Sequence, residues 1–333
     1  MKYPYILIPL ICILLSGCFK EDNYENSKKG NFEALWKIMD EHYCFFSYKA
    51  VDWNEVYDRY SQRISENMDN EALFTVLGEM LAEVQDGHVN LVATHNVARY
   101  WKWFEDYPDN FDSKIQKNYL GTDYGIAGGL KYKILDDNVG YIYYGSFSSG
   151  IGEGNINQVL DRMAICEGII LDVRDNGGGL MTNSDKLASH FFNEKTLVGY
   201  MQHKTGKGHD DFSEPYEIYV EPSDGVKYQK KVIILTNRSS YSAANDFVNA
   251  MRYAPNAVIV GDRTGGGSGM PFSSELPNGW SVRFSASPVL DANKAHTEFG
   301  IDPKIKVDMT DEDMGNGIDT IIEKARELIK NQG

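Results

Sequence analysis

Apolar residues in the first third of the chain recur at the spacing of helix faces. Phe32, Leu35, Trp36 and Met39 share one stripe, and Leu73, Val76, Leu77, Met80 and Leu81 share another. Such stripes face a core, so residues 30–92 are predicted to form a small helical bundle. After Leu91 the pattern turns irregular and aromatic through Tyr107. Segments 131–135 and 139–144 then predict a hairpin across Asp136-Asp137-Asn138. Strands are predicted at 168–173, 196–202, 217–220, 232–235 and 257–261, with helices at 156–163, 183–192 and 243–251. Two more strands flank Pro277-Asn278-Gly279, a sequence suited to a hairpin turn, and a helix over 315–329 closes the chain. Buried strands alternating with helices predict an α/β core over residues 93–333.

The 333 residues carry a net charge of −15. That balance disfavours nucleic acid as a partner, and it disfavours adhesion to anionic lipid by charge alone. The amino terminus offers another route to a membrane. Lys2 precedes an apolar run over residues 5–15, short for a bilayer span, which ends in Leu15-Ser16-Gly17-Cys18. The tetrad resembles a bacterial lipobox. It implies a signal peptide over residues 1–17 and lipid attachment at Cys18; a plain secretion signal with an incidental cysteine is the alternative. Acyl chains on Cys18 would anchor the protein in a bacterial cell envelope, with polar residues 18–29 as the tether. Lys20-Glu21-Asp22 resembles the export tag of some surface lipoproteins, which suits an outer-membrane location. Cys44 and Cys166 lie in apolar surroundings without metal-ligand spacing. They read as buried thiols, although export permits a disulfide between them.

Three segments carry candidate chemistry. In the first, the apolar run 232–235 leads through a polar turn to Ser242-Ala243-Ala244 and a helix. This places the Ser242 hydroxyl at a helix amino end, where unpaired amides and the helix dipole favour negative charge. Ser242 is then a candidate nucleophile, with the Ala243 amide placed to hold an oxyanion. The same position also suits an ordinary serine N-cap. Ser239 and Ser240 fall inside the turn and suit turn formation. The second segment runs from Asp172 through Arg174 and Asn176 to Gly177-Gly178-Gly179. Its spacing matches no phosphate loop, and Asp175 would repel a phosphate. Gly177 or Gly178 is a candidate oxyanion donor, because glycine lets a backbone amide approach a ligand; a tight turn is the plain alternative. The third, Gln85-Asp86-Gly87-His88, offers an imidazole of the kind used as a general base near neutral pH. His203, His209, Asp210 and Asp211 fit no recognised metal spacing.

Together these segments resemble the C-terminal processing (tail-specific) serine peptidases, whose relatives include the tricorn protease core. Ser242-Ala243-Ala244-Asn245-Asp246-Phe247 is similar to the family's Ser-Ala-x-Glu-x-Phe, with Asn245 in place of the glutamate. The run Arg174 to Gly179 resembles the family's oxyanion loop. Gly261-Asp262-Arg263-Thr264-Gly265-Gly266-Gly267 resembles its Gly-Glu-x-Thr-x-Gly segment, and Gly300-Ile301-Asp302-Pro303 its Gly-Ile-x-Pro signature, with Lys304 replacing the usual aspartate. Many members use a Ser-Lys dyad whose lysine falls near Gly267, and that lysine is missing. His88 instead occupies the Asp-Gly-His position of the tricorn-like branch.

The resemblance implies a crotonase/ClpP-like spiral β/α core behind the helical bundle. It implies Ser242 as nucleophile, His88 as base and Glu298 as the acid that orients His88, with Gly177 or Gly178 and Ala243 as oxyanion donors. Lys294 is the fallback base. A polypeptide substrate follows, with no metal or organic cofactor. Residues 91–130 are too few for the PDZ domain that relatives often insert, so the usual reader of peptide tails is not expected. Tyr100-Trp101-Lys102-Trp103-Phe104 is a candidate cap in its place, with core packing as the plainer role. The substitutions at Asn245 and Gly267 keep open a non-catalytic lipoprotein that binds peptide or an apolar ligand in the same cleft, and an esterase shares the chemistry.

Overall fold

The structure is a computed structural model that describes residues 24–331. The expected signal peptide and Cys18 lie outside the described residues. In chain order the strands are β1 (Asn90–Val92), β2 (Val97–Arg99), β3 (Gly125–Ala127), β4 (Leu130–Ile134), β5 (Gly140–Tyr143), β6 (Gly168–Asp172) and β7 (Thr196–Met201). They continue with β8 (Tyr216–Val220), β9 (Lys231–Thr236), β10 (Ala257–Gly261), β11 (Gly269–Glu275), β12 (Ser281–Asp291) and β13 (Ile305–Lys306). The α/β class expected from the alternating pattern is what the chain adopts.

Seven strands in the order β13-β10-β9-β6-β5-β4-β3 form the central sheet. From β13 to β5 neighbours run parallel, and the β5-β4-β3 edge is an antiparallel meander. Every residue of β6 is buried, as a strand covered on both faces must be. Helices Glu153–Met163, Met181–Ser189 and Ala243–Met251 contribute their apolar stripes to one face. Leu120 together with Ile321, Ile322, Ala325 and Ile329 covers the other. The second sheet is organised by the long β12, which pairs with β11 on one side and with β1 and then β7 on the other.

Helices Lys28–His42, Trp53–Ser61 and Asn70–Ala82 pack onto this second sheet rather than closing only on one another. Phe32, Leu35, Trp53, Leu77 and Met80 share a core with Leu276, Trp280, Val282 and Phe284 from the β11–β12 hairpin. Ser27 caps the first helix by accepting the Gly30 amide at 2.9 Å, so helix begins inside the expected tether. The single helix expected over 315–329 is two, Asp311–Gly315 and Thr320–Lys330. Gly317 at φ +73° breaks it, and Asp319 then caps the second piece through the amides of Ile321 and Ile322, each at 3.0 Å. Strands β1 to β3, in and around the irregular stretch that follows Leu91, have three residues each, too short to show a two-residue period.

Arg174 ties this framework to the glycine loop. Fully buried, its guanidinium lies 2.7 Å from Asp172 and 2.9 Å from Asp319, and it donates to the Asn110 carbonyl at 3.2 Å. Removing one member of such a buried set leaves uncompensated charge in a medium that solvates it poorly. Arg174→Met is therefore expected to lower the unfolding free energy by ~3–5 kcal/mol in a urea titration, and a loss below ~1 kcal/mol contradicts the role.

Candidate active site

Strand β9 delivers the chain to the turn 237–241, and the helix Ala243–Met251 leaves it. Ser242 stands at the joint with φ +57° and ψ −122°, a conformation that costs a residue with a side chain on the order of 1–3 kcal/mol. Surrounding backbone enforces it. The Ser242 amide donates to the Gly266 carbonyl at 2.9 Å, and the Tyr241 amide to the Asn176 carbonyl at 3.0 Å. In this pose the Ser242 side chain makes no capping hydrogen bond to the helix. Its Oγ lies 3.0 Å from His88 Nε2 instead. The N-cap reading of Ser242 therefore fails, and the two segments meet as the nucleophile–base pairing requires. Ser240 is engaged elsewhere, donating to the Val173 carbonyl at 2.8 Å. Lys294 lies over the Tyr200 ring, 5.0 Å from its centroid.

His88 is held by its own loop. Asp86 Oδ1 accepts the His88 amide at 2.8 Å, while its Oδ2 accepts from Tyr43 at 3.0 Å and from Ser285 at 2.9 Å. Burial pushes the imidazole down to about 4; Asp86 opposes that shift, and Arg283 and Lys49 add to it. At neutral pH the imidazole is uncharged and able to accept a proton. When it does, the buried Asp86 carboxylate faces the new charge.

The direct Glu298–His88 contact expected from the resemblance does not form. Glu298 Oε1 pairs with Lys49 Nζ at 2.9 Å, and Oε2 accepts the Ser268 amide at 2.8 Å. No side chain partners His88 Nδ1 among the described residues, while a backbone contact with Gly269 favours the protonated ring. The physical reason is Lys49, an ammonium also 3.7 Å from Asp86, which draws both carboxylates to itself. Lys49 thus stands between Glu298 and the Asp86 of the His88 loop. Of the two acids, Asp86 has its pKa lowered despite burial, with Lys49 the main opposing charge, whereas burial and the nearby Asp86 push Glu298 up to about 7. Sequence reading missed Lys49; its signal is a lysine set among Phe45, Phe46 and Tyr48 in an apolar stretch.

The glycine loop lies directly against the nucleophile. A Cβ on Gly178 would sit 2.8 Å from Ser242 Cβ and 2.9 Å from the Ala243 nitrogen, so only glycine fits there. Asn176 Oδ1 already takes the Gly178 amide at 3.0 Å. Of the expected donors, Gly177 and Ala243 are left with amides that meet no protein acceptor among the described residues. Gly267, at φ +75°, faces the ring of Tyr241; a Cβ there would come within 2.3 Å of it. The ring stacks on Trp103 at 4.0 Å and packs beside His88 at 4.9 Å, so it fills the room in which a side chain at 267 would begin. Asn245 is buried in a cross-link, accepting from Thr264 at 2.6 Å and donating to Thr297 at 3.3 Å. A cleft of about 280 Å³ opens beside Ser242. Cys44 and Cys166 are buried free thiols.

The pattern described as Peptidase family S41 matches residues 138–307, and that of the Tricorn protease C1 domain matches residues 24–82. The crystal structure of a candidate peptidase from Parabacteroides merdae ATCC 43184 is 59% identical, covering 93% of this chain and 98% of that one with a TM-score of 0.90. The carboxy-terminal processing protease CtpA of Bacillus subtilis (strain 168) is 25% identical over 206 residues, 61% of this chain and 41% of that relative. The chain thus spans less than half the length of that curated relative. Mature CPAF, solved in complex with lactacystin, shares the fold at 12% identity and a TM-score of 0.70, covering 91% of this chain and 97% of that one.

The burial of His88 sets a pH dependence. Its folded pKa lies below the ordinary 6.5, so the reactive neutral form persists as pH falls through 6.5 and is lost only toward about 4. By linkage, the associated stability is present above 6.5 and drains away as pH drops toward 4. The rate of Ser242 labelling by a fluorophosphonate should hold its plateau from pH 8 to about 6 and then decline. A midpoint at or above 6.5 contradicts this assignment.

Proposed function

Because this chain belongs to peptidase family S41, we propose that it hydrolyses polypeptides through an acyl-enzyme on Ser242. The observation that carries the reading is the 3.0 Å approach of Ser242 Oγ to His88 Nε2 beside unpaired amides. His88 takes the hydroxyl proton as Oγ attacks the scissile carbonyl, and the Ala243 and Gly177 amides receive the oxyanion. The imidazolium then gives its proton to the departing amine, while Asp86 stabilises the transient charge. Water repeats the cycle to release the acyl group. The strained Ser242 backbone supports the same reading, since it turns the hydroxyl away from the helix and toward the base.

Asn245 and Gly267 do not count against activity, because both are accounted for by packing: one is a buried cross-link, the other makes room for Tyr241. Ser242→Ala and His88→Ala are expected to abolish fluorophosphonate labelling and to cut casein hydrolysis by ~10³-fold or more, with the melting temperature retained. A folded wild-type chain that takes no label favours the binding-module alternative.

We further propose that Cys18 carries the lipid and that the protein works at a bacterial cell envelope, on the strength of Leu15-Ser16-Gly17-Cys18 after the apolar run. Cys18→Ser should abolish palmitate incorporation and move the protein from the membrane fraction to the soluble one; unchanged fractionation contradicts the anchor.

A further inference from the structure

We propose that Asp246 selects polypeptides with lysine or arginine immediately before the scissile bond. The inference rests on the peptidase reading and adds a specificity to it. Asp246 lies in the first turn of the nucleophile's helix, and its amide donates to the Ser242 carbonyl at 2.9 Å. Ser242 and Asp246 line one cleft, so the attacking oxygen and this carboxylate border the same space.

Asp246 lines the cleft that opens at Ser242. Its carboxylate has no hydrogen-bond or ion-pair partner among the described residues, whereas Asp86 and Glu298 are both paired with Lys49. Leu180, Met181 and Val289 line the same cleft and offer apolar cover for an aliphatic stem. An unpaired carboxylate in a cleft that also presents apolar walls is complementary to one class of side chain, a cation on a hydrocarbon arm. Burial, aided by the neighbouring Asp185, raises the Asp246 pKa to about 7, so an arriving cation also relieves an electrostatic penalty. Arg283 lines the cleft too, on the His88 side, where its charge disfavours the imidazolium. His88 serves the leaving amine there, so Arg283 belongs to the other side of the scissile bond.

The test uses fluorogenic tetrapeptides that differ only in the residue before the cleaved bond, with the purified chain. Wild type should favour Lys or Arg over Leu and Glu by about 10-fold or more in kcat/KM. Asp246→Asn should lose that advantage while its Leu substrate stays within about twofold, and Asp246→Lys should shift preference toward Glu. Benzamidine supplies a readout free of catalysis: it should raise the melting temperature of wild type and of Ser242→Ala, and leave Asp246→Asn unmoved. No preference for Lys or Arg in a chain that a side-chain-free fluorophosphonate labels at Ser242 overturns this proposal alone. Absence of that label in the folded chain takes the peptidase reading down with it. A uniform loss across all substrates in Asp246→Asn, with labelling slowed equally, also overturns the specificity role.

Discussion

One ammonium shared by two buried carboxylates joins the parts of the molecule on which the site depends. Lys49 comes from a short amino-terminal helix, Asp86 from the loop that carries His88, and Glu298 from the segment before β13. All three side chains are nearly sealed from water. Lys49 also lies 5.5 Å from the Phe45 ring centroid and 5.6 Å from that of Phe299, so its charge is enclosed by π-faces as well as acids. A buried ion cluster of this kind adds little net stability over a well-packed apolar core, yet no member can be removed cheaply. It therefore fixes where the His88 loop sits relative to the carboxyl-terminal third of the chain.

A second consequence is electrostatic. Lys49 helps keep Asp86 ionised, burial and Asp86 push Glu298 up to about 7, and the imidazole beside the cluster is buried enough to remain neutral. Proton transfer from Ser242 brings a positive charge beside the Asp86 carboxylate, the charge that most favours it. That differs from a direct carboxylate–imidazole hydrogen bond, in which one acid both orients and compensates the ring. Here orientation comes from the backbone bond of Asp86 and from packing against Tyr241, and compensation from the nearby Asp86 carboxylate.

Tyr241 also accounts for how this chain departs from the lysine-dyad pattern. Its ring occupies the volume above Gly267, stacks with Trp103 and leaves too little space at Gly87 for a Cβ, which would meet Trp103 at 2.5 Å. Aromatic bulk, imidazole and missing side chains at 87 and 267 are therefore one packing solution. Trp103, from the aromatic stretch that follows β2, covers this cluster and has its carbonyl held by Arg238 at 2.7 Å.

The sequence by itself determined the α/β class, the strand–turn–helix around Ser242, the glycine loop and the His88 segment. Each of these is local: a buried strand shows in its unbroken apolar run, and a turn in its glycines. The order of motifs along the chain also points to the family. Only the tertiary structure decided that Lys49 stands between Asp86 and Glu298, because that cluster joins residues 49, 86 and 298, whose separation along the chain leaves no periodic trace. Sharing of the amino-terminal core with the β11–β12 hairpin was hidden for the same reason. Whether Ser242 would cap a helix or face a base rested on one backbone angle, which Gly266 and Asn176 impose from elsewhere in the fold.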